Sequence, residues 1–325
     1  MVAFAHRGRK RLCGFPFPAR RCQNGDPIVL CRKPMTAERL FALLICLAIL
    51  TGCGEKDTAT APADSAPESS ADTSEQPADS DQSALREPLA VAGEMFPYSE
   101  TDDDLIRCYF AFPETMVEPL PAGIMIHEWW GLTDGVKAAA EVLAAQGFMV
   151  LAVDMYYGEA TNDGAKAGAL ARQLLEDMES GDENLTAAIK FLKDVAGAPV
   201  VAAYGWSQGA QWAVRCAQNN GEDISAVVAY YGQPDTDPTS VEAMSAPVLT
   251  IHGGEDSTIP MADVRAFREV AAALGKTVDV MVVLEGINGF ASPGDRRFNQ
   301  AHAERAFDRA VGFLHKNLNA ARIAQ

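Results

Sequence analysis

The apolar run Val200–Tyr204 leads into Gly205-Trp206-Ser207-Gln208-Gly209, and Ala210-Gln-Trp-Ala-Val follows with helical composition. A serine between two glycines at a strand-to-helix turn has a specific physical use. The glycines let neighbouring backbone approach a strained turn that lifts the hydroxyl clear of the sheet. The N–H of Gln208, in the first turn of the helix, then points where an oxyanion would form. The chemistry such a turn serves is nucleophilic acyl transfer, which needs a base for the serine and an acid to orient that base. With this turn the acid and then the base follow in the chain, each at a strand's C-terminal end. Val248-Leu-Thr-Ile-His-Gly-Gly-Glu-Asp256 places Asp256 in a loop after a strand, 49 residues beyond Ser207, with Glu255 as the fallback.

Positioning these groups requires a regular scaffold. From residue 88 onward, strand-like runs at 107–112, 122–127, 149–154, 200–204, 226–231, 248–252 and 278–284 alternate with helical patterns. The helices are expected near 134–146, 166–179, 184–196, 208–218, 261–274 and 300–318. Gly147 and Gly275 stand where a residue closing a helix belongs. The strands are continuously apolar, so both faces must be covered. The fold class expected is α/β, with a mostly parallel central sheet and helices on both faces. No internal repeat and no second domain is visible.

Over roughly residues 88–321 the chain resembles the dienelactone hydrolase family of α/β-hydrolases. The residues that carry the resemblance are Ile126-His-Glu-Trp-Trp-Gly-Leu132, Asp154-Met-Tyr-Tyr-Gly158, the Gly205–Gly209 turn, His252-Gly-Gly-Glu-Asp256 and Gly289-Phe-Ala-Ser-Pro-Gly-Asp-Arg-Arg-Phe-Asn299. The resemblance implies that Glu128 is the carboxylate that restrains the resting nucleophile. It also implies that the Trp129 backbone N–H is the second oxyanion donor beside Gln208. The family nucleophile is often Cys; here it is Ser207. Read from the sequence alone, Glu128 caps a strand end and Trp129-Trp130 pack under a helix.

Two departures follow from the same comparison. The loop that carries the family's catalytic His reads Leu284-Glu-Gly-Ile-Asn-Gly-Phe290 here, with Asn288 and no His, either by replacement or by deletion. An amide cannot take the Ser207 proton, so the usual base is absent. Of the histidines beyond residue 53, His127 and His252 read as structural, His315 lies near a helix end, and His302 is the one a rearranged loop would bring to the site. The family's substrate-binding arginines correspond to positions near Gly158 and Ser292, neither of them basic, while Arg296 and Arg297 lie further on beside acids. Dienelactone itself is therefore not the expected substrate.

The head of the chain reads as an address. Residues 1–52 hold nine Lys/Arg and two Asp/Glu, leaving 18 basic and 42 acidic residues for the remainder of a chain whose net charge is −17. Leu40–Leu50 has the length of a signal-peptide apolar region, with Arg32, Lys33 and Arg39 upstream. Leu50-Thr-Gly-Cys53 resembles a bacterial lipobox, which implies acylation of Cys53 and membrane anchoring. Met35 is where such a signal would start, so residues 1–34 are a candidate mis-assigned translation start and 35–52 the signal. Residues 53–87 are rich in Ala, Ser, Asp, Glu and Pro and nearly free of large apolar side chains, which fits a disordered tether. The domain then spans 88–325. Gly54 after the Cys carries no charge, and the expected destination is the outer membrane, facing the periplasm.

Several functions are excluded or disfavoured. The acidic body lacks the basic clusters that phosphates require, so no nucleic-acid partner is expected. There is no phosphate-cradling glycine loop and no Cys/His spacing for a metal, so no cofactor is expected. Thr101-Asp-Asp-Asp104 reads as a solvated approach to a strand rather than a calcium site. Cys108 and Cys216 read as buried thiols. Two functions remain: a serine hydrolase of esters or lactones, working through an acyl-enzyme on Ser207, and a hydrolase-fold binding protein that has lost its catalysis.

Overall fold

Each central strand is an unbroken apolar run, and the chain layers helices over both of its faces. The computed structural model describes residues 28–29, 87–100, 105–116, 119–292 and 295–323. In chain order the strands are β1 (Ile28–Val29), β2 (Val91–Glu100), β3 (Leu105–Pro113), β4 (Thr115–Met116), β5 (Ala122–Ile126), β6 (Met149–Val153), β7 (Val201–Trp206), β8 (Ala226–Tyr230), β9 (Val248–Gly253) and β10 (Val278–Val283). The α-helices are α1 (Asp134–Ala144), α2 (Gly164–Glu176), α3 (Met178–Lys190), α4 (Gln208–Asn220), α5 (Pro238–Ala243), α6 (Met261–Ala273) and α7 (Gln300–Ile323).

Eight strands form one sheet in the order β10-β9-β8-β7-β5-β6-β3-β2, and β1 pairs with β4 separately. From β10 to β6 every pairing is parallel, whereas β3 runs antiparallel to both β6 and β2. All residues of β5, β6, β7, β8 and β9 are buried. Leu185, Trp212 and Phe267 from α3, α4 and α6 cover one face, and Val136, Leu143, Phe313 and Leu314 from α1 and α7 cover the other. This is the α/β-hydrolase architecture expected. Because β5 neighbours both β6 and β7, the winding direction reverses there, and a crevice opens beyond the C-terminal ends of those two strands. The loops bearing Glu128, Trp129 and Ser207 begin at that crevice.

Beyond α5 and the short strands β1 and β4, which were not anticipated, the structure differs from expectation in two places. The strand β2 was not anticipated, because it carries Gly93, Glu94 and Pro97. It is an edge strand with a bulge between Pro97 and Ser99, where a missing N–H costs no ladder bond. The helices expected at 166–179 and 184–196 are instead α2 and α3, divided at Asp177. Its non-helical backbone, φ −124° and ψ 64°, ends the first helix, and its side chain accepts the Ser180 N–H to start the second. A turn of π-helix, Phe191–Val195, continues α3.

Cys108 and Cys216 are buried free thiols. No helix among the described residues is long and apolar enough to cross a membrane. The expected start at Met35, the signal at 35–52, Cys53, the tether up to residue 86 and Thr101–Asp104 lie outside the described residues.

Candidate active site

The turn after β7 is built by close backbone approach. A Cβ on Gly205 would run into the Gly209 carbonyl, and one on Gly209 would run into the carbonyls of Ile126 and His127, so only glycine fits at either position. Ser207 between them is held at φ 52°, ψ −117°, a conformation costly for any residue with a Cβ. Its N–H donates to Tyr230 O at 2.8 Å, which ties the turn to the end of β8. Gln208 begins α4, where the first-turn N–H groups have no acceptor within the helix.

Asp256 and Asn288 come together. The Asn288 side-chain amide donates to Asp256 Oδ2 at 2.9 Å. The backbone N–H groups of Thr258 and Ile259 donate to Oδ1 at 2.7 and 2.9 Å. Every acceptor direction that fixes this carboxylate is thus supplied by the chain. Glu255, the fallback acid, is exposed, and only its backbone is engaged, donating to Gly286 O. Among the described residues no hydrogen bond joins Ser207 to Asp256 or Asn288.

Glu128 follows β5 and is only 5 % exposed. Burial pushes its carboxyl up to about 7, while the hydrogen bond to Ser292 and the Arg297 charge oppose the rise and Asp295 adds to it. Among the described residues no hydrogen bond joins Glu128 to Ser207, and Ser292 lies beside its carboxyl. Oε1 of Glu128 and the hydroxyl of Tyr231 are both buried without a partner among the described residues. A cavity of about 10 Å³ lies beside Glu128, lined also by Trp130, Thr133, Trp206 and Ser292.

The residues expected to supply the oxyanion donors also use their side chains. The Trp129 ring lies 4.0 Å from the positions a Cβ would take on Gly164 and Gly168, so it rests on a glycine-lined stripe of α2. The Gln208 side chain accepts from the Tyr156 hydroxyl at 3.0 Å, and its amide reaches Ala171 O at 3.5 Å. Tyr156 itself sits in a loop organised by buried Asp154, whose carboxylate accepts the N–H groups of Tyr156 and Gly158 at 2.9 and 2.6 Å. None of these three links could be read from local spacing. The Gly164-x-x-x-Gly168 pattern on α2 is the one sequence signal that could have pointed to the Trp129 contact.

The histidines are accounted for individually. His127 accepts the Met155 N–H on Nε2 at 3.0 Å, so Nδ1 carries the proton and donates to Glu128 O at 2.6 Å. Burial holds this ring's pKa low, and it serves the backbone on both sides. His252 is fully buried; its Nε2 shares a 2.6 Å hydrogen bond with Thr250 Oγ1, and burial lowers its pKa to about 4. His302 begins α7 and packs edge-on against Phe290, 6.2 Å between ring centroids, with Phe290 in turn against Tyr231. His315 packs against Phe148, just before β6 begins, at the N-terminal end of that strand. Arg297 pairs with Asp295 through two hydrogen bonds of 2.9 and 2.6 Å. Gly158 and Ser292 leave the neighbouring positions without a cation, and no His/Cys/Asp/Glu cluster among the described residues could hold a metal.

The glycine-flanked turn at Ser207 and the loop that joins Asp256 to Asn288 sit in a frame that known proteins share. A protein of Aquifex aeolicus, provisionally named carboxymethylenebutenolidase, is 27 % identical over 220 residues, covering 64 % of this chain and 92 % of its own. A protein of Escherichia coli under the same provisional name is 25 % identical over 238 residues, covering 68 % and 85 %. In structure, a dienelactone hydrolase-like promiscuous phosphotriesterase from metagenomic libraries matches with a TM-score of 0.60 at 21 % identity, over 70 % of this chain and 98 % of that one. A dienelactone hydrolase from Anabaena variabilis matches at 0.54 and 20 % identity, over 71 % and 99 %. The family model for the dienelactone hydrolase family matches residues 106–318, the whole stretch from β3 to α7 that carries the turn, the acid loop and the crevice. On that match the chain belongs to the dienelactone hydrolase family.

Proposed function

We propose that this protein is a serine hydrolase directed at esters or lactones, working through an acyl-enzyme on Ser207. The observation that carries the reading is the strained Ser207 backbone at the point where the sheet's winding reverses. Strain of this kind at a crevice marks a side chain held for use. Ser207 Oγ attacks the carbonyl carbon, and the backbone N–H groups of Trp129 and Gln208 hold the oxyanion. Asp256 keeps its role as the orienting acid, but the group it orients is Asn288. Glu128, buried beside the turn, sets the local charge. With Gly158 and Ser292 at the positions near the crevice, the substrate is not dienelactone with its carboxylate, but an ester or lactone lacking that anion.

The Asp256–Asn288 hydrogen bond favours a second reading: a binding protein that retains the pocket without turnover. Turnover of a chromogenic short-chain ester by the chain from residue 85 onward separates the two. Loss of that activity in Ser207→Ala supports the hydrolase; equal activity in the variant sinks the acyl-enzyme.

The same protein, in this proposal, is a lipoprotein anchored through Cys53, with the polar tether placing the domain in the periplasm beside the outer membrane. Cys53→Ser should leave it unacylated and its signal uncut. A mature N-terminus at another residue, found by mass spectrometry, would remove the anchor from the account.

A further inference from the structure

The hydrogen bonds around Asp256 bear on which half of the reaction this site can complete. Acylation and deacylation make unequal demands on a base. When an ester with a good leaving group acylates Ser207, a C–O bond forms to Oγ, the Oγ proton is lost to solvent, the bond to the leaving oxygen breaks, and the leaving anion departs without needing a proton. When water discharges the acyl-enzyme, the water must lose a proton and the departing Ser207 oxygen, a far poorer leaving group, must gain one. In a complete triad the imidazole does both.

Here neither is available. Asn288 occupies the hydrogen-bonding position on Asp256 and has no titratable proton. His127 uses both ring nitrogens on backbone. His252 is fully buried, with Nε2 on Thr250 and Nδ1 without a partner among the described residues. His302 packs on the Phe290 ring, and His315 packs on Phe148 at the N-terminal end of β6. Cys108 and Cys216 are buried in the core, and Glu128, whose Oε1 has no partner among the described residues, makes no hydrogen bond to Ser207.

We infer that Ser207 is an acyl acceptor whose ester outlives its formation, and that the acyl group is passed to neutral amine-type nucleophiles in preference to water. This rests on the reading of Ser207 as the nucleophile. An amine attacks the acyl carbonyl with its own lone pair. The N–H made acidic by that attack then supplies the proton that the departing Ser207 oxygen needs. The products are an amide and free Ser207, with no external base.

Rapid mixing with p-nitrophenyl acetate tests this. One equivalent of p-nitrophenolate per chain should be released, followed by a phase slower by about 10²-fold, the lower range of what general acid–base catalysis contributes. Mass spectrometry should find one acetyl group on Ser207, and neutral hydroxylamine should discharge it and raise the slow phase in proportion to its concentration. Asn288→His should abolish the accumulation. Absence of acetyl on Ser207, with Ser207→Ala releasing phenolate like the parent, removes the nucleophile reading and this inference with it. Acetylation of Ser207 with linear release from the first turnover and no response to hydroxylamine overturns the inference alone. So does turnover in water that is lost in Glu128→Gln, because it makes Glu128 the base.

Discussion

The side-chain amide of Asn288 donates to Asp256 Oδ2 at 2.9 Å, on the carboxylate oxygen that Thr258 and Ile259 leave free. An imidazole N–H standing in the same loop would make the same bond and would also offer a second nitrogen to the serine. The amide keeps the loop's geometry and drops the proton transfer. On the proposed reading, the acid loop is intact and the missing chemistry resides in that one side chain.

Asn288→His is expected to raise the steady-state rate on a chromogenic ester by about 10²-fold or more, the usual contribution of a positioned general base. The loop allows two alignments, so a His inserted between Asn288 and Gly289 is the companion variant. A parent already as fast as both variants would show that another group serves as base, and His302→Ala would then test the histidine in the first turn of α7.

Glu128 gives the fold a pH dependence of known sign. Its folded pKa of about 7 lies above the ordinary carboxyl value, so the folded state binds the proton more tightly than the unfolded chain. Its contribution is fully present below the unfolded pKa and is lost as pH rises toward 7, by about 3 kcal/mol at most. His252, lowered to about 4, acts oppositely: its contribution is present above pH ~6.5 and lost as pH falls through 4. The two slopes overlap and mask each other in the parent. Melting temperature against pH for Glu128→Gln should therefore show stability falling more steeply toward acid than in the parent. Superimposable profiles would mean Glu128 ionises normally.

Much of this was legible in the chain because it is written in local pattern. Unbroken apolar runs such as Met149–Val153 announced covered strands, and the glycines flanking Ser207 announced a tight strand-to-helix turn. Asp256 and Asn288 each follow a strand, so two adjacent strands suffice to bring them together. What could not be read are partnerships between distant loops. Ser292 takes Glu128, and Tyr156 takes Gln208, through contacts that no periodicity encodes. The edge strand β2 escaped because its glycine, glutamate and proline are tolerated only where a ladder stays open on one side.

Gly168 offers a test of how α2 supports Trp129. A Cβ there meets Trp129 Cζ3 only at 4.0 Å, so Gly168→Ala fits and should stabilise the domain by about 0.5–1 kcal/mol through helix propensity. Gly168→Leu adds atoms that the Trp129 ring must vacate. Its acylation rate by p-nitrophenyl acetate should fall while Gly168→Ala stays at the parental rate. Equal acylation in both would mean the ring's placement is irrelevant to the site.

Tyr156→Phe isolates the other support. The phenol donates to Gln208 Oε1 at 3.0 Å, and Tyr156 is 5 % exposed, so its removal leaves a partly buried carbonyl oxygen without that donor. The cost to stability should be about 1 kcal/mol, the net worth of an ordinary hydrogen bond. The effect on chemistry is separable from this. Gln208 is held between the Tyr156 loop and α2, and its own backbone N–H is the proposed oxyanion donor. If the phenol positions that residue, Tyr156→Phe should lower kcat or the acylation rate constant with little change in KM, because the oxyanion forms only on the way to the intermediate. A rise in KM at unchanged rate would instead place the phenol in ground-state binding of the ester. A loss of stability with both parameters unchanged would leave the Tyr156–Gln208 bond a purely structural link.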